Sequence, residues 1–128
     1  MKKYLYCDSC FLITFYQDKK LGALSQYKNL FFISDTQIRR ELFKPDDLTV
    51  LIRESITVIL EDRIEIMQKT DEFIQQYETL SYFDCLCMAY ALLDGYILIT
   101  DDKALLKKCS IHGIETKTSK DIEDEYIK

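Results

Sequence analysis

The chain has 128 residues, 48% of them hydrophobic, enough for one core and too few for two, so residues 1–128 are expected to form a single domain. A formal net charge of −5 argues against a general nucleic-acid binder, because non-specific affinity rests on cations that neutralise phosphates. No apolar run reaches the roughly 18 residues of a membrane span, and five cysteines with no apolar leader after Met1-Lys2-Lys3 predict reduced thiols in a soluble, cytoplasmic protein.

Tyr4 to Ser9 reads as a short strand running into a carboxylate, Asp8. Phe11 to Tyr16, with Leu21, Leu24 and Tyr27, suggests one or two short helices broken near Lys19-Lys20-Leu21-Gly22. Leu30 to Ser34 is an aromatic and β-branched strand, and Asp35 or Thr36 is expected to cap a helix carrying Arg39, Arg40, Glu41 and Leu42. Pro45 ends that helix, and Asp46-Asp47 then opens another that runs to about Glu54. Ser55 to Leu60 is rich in β-branched residues and reads as a strand. Helical spacing returns from Asp62 to Tyr77 and from Ser81 to Leu93, and Asp94-Gly95 stops the second of these. A strand at Ile97–Ile99, a helix from Asp102 to Cys109, a last strand within Ile111 to Glu115 and an acidic helix from Ser119 to Tyr126 complete the chain. Five strands separated by helices predict an α/β fold, a three-layer α/β/α sandwich on a mostly parallel sheet.

Asp8, Glu41, Asp84 and the pair Asp101-Asp102 fall where a strand ends or a helix begins, the edge at which open α/β sheets gather their chemistry. Singly, each is a helix cap, a turn former or a solvated residue. Brought together they repel one another and raise each other's pKa unless a cation sits among them, which predicts a site for Mg²⁺ or Mn²⁺. Asp101 is the weakest member, since it could equally face solvent or cap the next helix. Arg39, Arg40, Lys44 and Lys103 lie near these acids in sequence and are candidates for a phosphate-binding rim, although exposed Arg and Lys are ordinary on helices.

The cysteines do not make a good zinc site. Cys7 lies within a strand, and Cys85 and Cys87 lie two apart on a helix and diverge, so buried thiols acting as small hydrophobes are expected. His112 falls in a connecting turn and is expected to be exposed.

Leu80 to Ala91, then Gly95, then Leu98-Ile99-Thr100-Asp101-Asp102-Lys103-Ala104-Leu105, then Gly113-Ile114, resemble the PIN domain nucleases, including the toxin subunits of VapC-type toxin–antitoxin systems. Cys7-Asp8-Ser9 looks like that family's first-acid turn, and Ile33-Ser34 followed by Glu41-Leu42 looks like its second-acid helix. The resemblance implies a sheet ordered 3-2-1-4-5 and metal-dependent endonucleolytic hydrolysis of RNA. Asp8, Glu41, Asp84 and Asp102 match the family's four acids, Asp101 is extra, and Ser9 and Thr100 match hydroxyl positions that orient carboxylates or a metal-bound water. Cys10 departs from the pattern: a thiol is a weaker hydrogen-bond partner than the Ser or Asn often found there. The resemblance further implies a homodimer and silencing by a small antitoxin protein; the aromatic-rich stretch from Phe11 to Phe32 is a candidate for apolar interface surface, though core packing explains it equally well.

Two other readings compete. A receiver domain shares the layout, but Asp8 is single where that class carries an acidic pair. The stronger competitor is a PIN fold that keeps its acids yet acts as an RNA- or protein-binding module without cleaving.

Overall fold

Five short strands, β1 (Leu5–Cys7), β2 (Phe31–Ser34), β3 (Thr57–Ile59), β4 (Ile97–Ile99) and β5 (Thr116–Lys117), pair in parallel in the order β3-β2-β1-β4-β5. The computed structural model describes residues 3–127 of the chain, so the reading drawn from Met1-Lys2 lies outside it. Among the described residues seven α-helices flank the sheet: α1 (Ser9–Gln17), α2 (Asp35–Glu41), α3 (Asp46–Ser55), α4 (Ile64–Gln76), α5 (Tyr82–Asp94), α6 (Lys103–Ile111) and α7 (Ser119–Tyr126). A 3₁₀ segment, Leu21–Leu30, kinked at Tyr27, leads into β2. The result is a three-layer α/β/α sandwich in the order 3-2-1-4-5.

Side chains alternate across a strand, so each face of the sheet collects its own aromatics. On one face Tyr6 stacks on Tyr90 of α5 with centroids 4.9 Å apart and meets Tyr96 edge-on, while Phe32 lies between Tyr4 and Tyr96. On the other, Phe31 meets Tyr126 of α7, which also packs against Tyr27. β1 and β4 are buried on both faces, as central parallel strands are, and read as unbroken apolar runs for that reason. No helix among the described residues is long and apolar enough to cross a membrane.

Several local expectations need correction. Ser34, not Asp35 or Thr36, caps α2, its hydroxyl accepting from the Thr36 amide at 3.2 Å. α2 ends at Glu41, four residues before Pro45; the proline instead precedes the first residue of α3. The last strand is Thr116–Lys117 rather than a piece of Ile111 to Glu115, because α6 continues through Ile111 and Gly113, at φ 69°, turns the chain before it rejoins the sheet. His112 is not exposed: its Nε2 lies 2.5 Å from the Tyr77 hydroxyl and its ring packs edge-on to Phe73. Phe11, Leu12, Phe15, Leu21, Leu24 and Phe31 are core residues, so core packing accounts for most of the aromatic-rich stretch from Phe11 to Phe32. Large exposed apolar side chains lie elsewhere, among them Val50, Ile64, Tyr82 and Leu93. Cys7, Cys85, Cys87 and Cys109 are buried free thiols and Cys10 is exposed.

Candidate functional site

Asp8 follows β1 directly and its amide donates to the Ile99 carbonyl at 3.1 Å, which extends the β1–β4 ladder and sets Asp8 beside Thr100. Although it occupies the N-cap position of α1, its carboxylate makes no capping bond. Instead Oδ2 accepts from Thr100 Oγ1 at 2.7 Å, and the same hydroxyl accepts from the Asp102 amide at 3.1 Å. Thr100 thus ties the first acid to the loop that carries the fourth. Only 6% of Asp8 is exposed. Burial, augmented by the charges of Asp84 and Glu41 and opposed by the Thr100 hydroxyl, pushes its carboxyl up to about 6.

Glu41 is the last residue of α2, where the helix macrodipole disfavours an anion and a structural optimum would place a cation. Ser9 Oγ donates to its Oε1 at 2.6 Å. Its carboxyl is also raised, by burial first and then by the charge of Asp84, against the lowering effect of Ser9. Asp84 sits in the first turn of α5, completing a capping box in which Ser81 N donates to its Oδ2 at 3.1 Å and its own amide donates to Ser81 Oγ. Asp102 caps α6, with Oδ1 accepting from the amides of Ala104 and Leu105 at 2.9 and 3.1 Å.

The bland roles expected of lone acids are therefore real for Asp84 and Asp102, but each role uses one oxygen. Oε2 of Glu41, Oδ1 of Asp84 and Oδ2 of Asp102 accept no hydrogen bond among the described residues. All four acids raise the pKa of the Cys10 thiol, after burial, which places that side chain within their joint field.

Asp101 behaves differently. Its Oδ1 accepts from the Ser119 amide at 2.9 Å and its Oδ2 from the Ser119 hydroxyl, so both oxygens fasten the start of α7. Of the four candidate cations, Arg39 is paired with Asp35 at 2.9 Å. Arg40, Lys44 and Lys103 are exposed, and none of the three enters an ion pair among the described residues.

Gln37 was not anticipated. It is fully buried on α2, four residues before Glu41 and so on the same helical face. Its Nε2 donates to Ser9 Oγ at 2.8 Å and its Oε1 accepts from Tyr6 OH at 2.8 Å, which in turn accepts from the Ser34 amide at 3.0 Å. A relay therefore runs from β2 through Tyr6, Gln37 and Ser9 to Glu41. Ser34 Oγ and the Tyr90 hydroxyl both donate to Asp62 Oδ1, which extends the polar layer to the end of β3.

Does this arrangement fit a divalent cation? The donors are hard oxygens and crowd unneutralised, which suits Mg²⁺ or Mn²⁺. Among the described residues, no three His, Cys, Asp or Glu side chains enclose an ion as they stand. Mg²⁺ keeps several waters and is commonly held by only one or two carboxylates, so a closed protein cage is not what it requires.

No protein-family model matches the chain, and no curated protein does. Among solved structures, the crystal structure of PAE2754 from Pyrobaculum aerophilum aligns over 95% of this chain and 93% of that one, with a TM-score of 0.67 and 14% sequence identity. At that identity the likeness establishes the fold alone.

Proposed function

We propose that this chain is a metal-dependent endoribonuclease of the PIN type. The observation that carries the reading is the meeting of Asp8, Glu41 and Asp84, whose charges raise the pKa values of Asp8 and Glu41, with no protein cation to offset them among the described residues. A structure selected for stability alone has no use for such a cluster, since like charges in a half-buried cleft cost folding free energy. Asp8, Glu41, Asp84 and Asp102 would hold Mg²⁺ or Mn²⁺. The bound ion supplies Lewis acidity at the phosphate and a lowered pKa for an attacking water.

The chain's own residues then have defined tasks. Thr100 fixes the Asp8 carboxylate through one oxygen and the Asp102 loop through its amide contact. Ser9, held by Gln37, aims Glu41. Capping bonds fix one oxygen of Asp84 and of Asp102 and leave the other without a hydrogen bond among the described residues. Asp101 is left out of the ligand set, its carboxylate being engaged by Ser119. Arg40, Lys44 and Lys103 are the cations available to steady phosphates. In-line attack would leave a 5′-phosphate and a 3′-hydroxyl, with no histidine base needed.

The test is incubation with RNA and Mn²⁺, with and without EDTA. Cleavage that EDTA abolishes supports the reading, and absence of cleavage under every divalent cation overturns it. That no three side chains enclose an ion as they stand favours one second reading, a PIN-type fold that binds RNA or protein without cutting it; RNA binding with no cleavage in the same experiment would select it. Assembly as a homodimer and silencing by an antitoxin belong to the proposal as well. Such contacts would use exposed apolar residues such as Val50, Ile64 and Leu93, and sedimentation across micromolar concentrations tests the dimer.

A further inference from the structure

Beside the acids, an open recess of about 300 Å³ between α2 and α5 is lined by Thr36, Arg40, Tyr82 and Phe83. Its two walls are each one residue from a proposed metal-binding acid: Arg40 precedes Glu41, and Phe83 precedes Asp84. Neighbouring residues on a helix point about 100° apart, so the recess lies around the corner from the acid cluster and not within it. Tyr82 and Phe83 meet edge to face, centroids 5.1 Å apart and planes at 79°, while 41% of Tyr82 stays exposed. Thr36 lies one helical turn before Arg40 on the same face. Arg40 enters no ion pair among the described residues, whereas Arg39 beside it is held by Asp35.

We propose that this recess is a nucleobase subsite that stacks one unpaired base of single-stranded RNA against Tyr82, with the guanidinium of Arg40 on the adjoining phosphate. The placement of that base next to the scissile bond rests on the ribonuclease reading; the stacking itself does not. A half-exposed aromatic ring beside an unpaired cation is the combination that single-stranded nucleic acid binds, because every base offers a π face and every linkage an anion. The volume is at the lower end of small-ligand sites, roughly 300–1,000 Å³. A second recess of about 400 Å³ shares Thr36 and Tyr82 but carries Glu61 and Asp62, and the one cation on its wall, Arg39, is already held by Asp35. Those carboxylates repel a phosphate, so the strand turns away after one base. A duplex cannot deliver an unstacked base, and the subsite therefore selects single strands.

The experiment measures binding of a labelled RNA of about eight nucleotides, single-stranded or as a blunt duplex, by fluorescence anisotropy in EDTA, where metal-dependent cutting is absent. Wild type should bind the single strand more tightly than the duplex. Tyr82→Ala should weaken single-strand binding about tenfold, Arg40→Gln should weaken it as well, and Tyr82→Phe, which keeps the ring, should stay within about twofold of wild type. Circular dichroism and melting of each variant exclude misfolding. Equal affinity for duplex and single strand, no RNA binding at all, or a Tyr82→Ala variant that binds like wild type overturns the proposal. So does a Tyr82→Ala variant altered only in self-association by sedimentation, which would assign the ring to a protein contact. Failure of the ribonuclease reading looks different: no cleavage with Mn²⁺, but single-strand binding that still depends on Tyr82. Cleavage with the same KM and the same cut positions in Tyr82→Ala would remove the subsite and leave the metal site standing.

Discussion

Asp35 touches two guanidinium groups, Arg39 at 2.9 Å and Arg53 at 2.6 Å, and Arg63 forks Asp94 with both contacts at 2.8 Å. Asp8, Glu41 and Asp84, by contrast, meet only hydroxyl and amide donors and one another's fields. The outer acids are neutralised by the chain itself and hold elements together. The inner acids are oriented with equal care but left without a counter-charge, the feature on which the proposed metal site rests. Orientation without neutralisation is the property the two regions do not share.

The largest expected effect comes from removing one inner acid. Asp8→Asn should reduce Mn²⁺-dependent RNA cleavage by at least about a hundredfold, since even residues one contact removed from a metal typically cost ~10- to 100-fold. Without metal the variant should be as stable as wild type or more so near pH 7, because Asn still accepts from Thr100 and carries no charge. Parallel cleavage assays and urea melts check both halves. Wild-type cleavage in the variant would dissolve the contrast between the two regions.

Next in size is the pH dependence of the metal-free protein. Asp8 titrates near 6 when folded and near 4 when unfolded. Its folded pKa is raised, so the folded state keeps the proton longer; the associated stability is present below about 4 and disappears as the pH rises through about 6. Two units correspond to about 3 kcal/mol at most. The raised carboxyl of Glu41 acts in the same direction. Urea midpoints measured from pH 4 to pH 8 should therefore fall more steeply for wild type than for Asp8→Asn. Equal slopes would mean that Asp8 is not under the burial and like-charge pressure that sets the inner acids apart.

Much of this was legible in the residues, for reasons that differ by element. β1 and β4 are unbroken apolar runs ending in Asp8 and in Thr100-Asp101, and strand type, strand end and acid were all visible together. The ladder order came from the family resemblance and not from periodicity, since parallel pairing partners are set by packing. β5 was misplaced because Ile114, which looks like strand, is buried within the turn, while the true strand is two half-buried residues, Thr116 and Lys117, with no apolar pattern of their own. The resemblance set Asp102 apart from Asp101, but what engages Asp101 lies in Ser119, eighteen residues on, and leaves no local sign. Gln37 was illegible for another reason: in Asp-Thr-Gln-Ile-Arg-Arg-Glu a glutamine passes for a surface residue. Its i, i+4 relation to Glu41 was the available signal.

Gln37 sharpens the comparison, because it serves the inner acids without being one. Gln37→Leu leaves Tyr6 OH and Ser9 Oγ without their partner in a buried layer, a loss of about 1–3 kcal/mol in stability. It should also weaken Mn²⁺ affinity by about tenfold through the loss of aim at Glu41. Isothermal titration with Mn²⁺ beside urea melts separates the two. A variant that loses stability but binds Mn²⁺ like wild type would make Gln37 a core residue and nothing more.

The smallest effect belongs to the outer acids. Arg63 and Asp94 pair through two contacts in solvent, where water and salt screen the attraction and ordering two side chains offsets most of it. Arg63→Ala should shift the melting midpoint only slightly, by less at high salt than at low salt, and should leave Mn²⁺ affinity and cleavage unchanged. A double-mutant cycle with Asp94→Ala isolates the pair from the packing of the arginine stem against its neighbours. The control matters because Asp94 closes α5, the helix that Asp84 opens. If breaking a neutralised pair at one end of that helix altered metal binding at the other, the two sets of acids would be one coupled network, and the uncompensated charge of Asp8, Glu41 and Asp84 could no longer be read as a local property of the cleft.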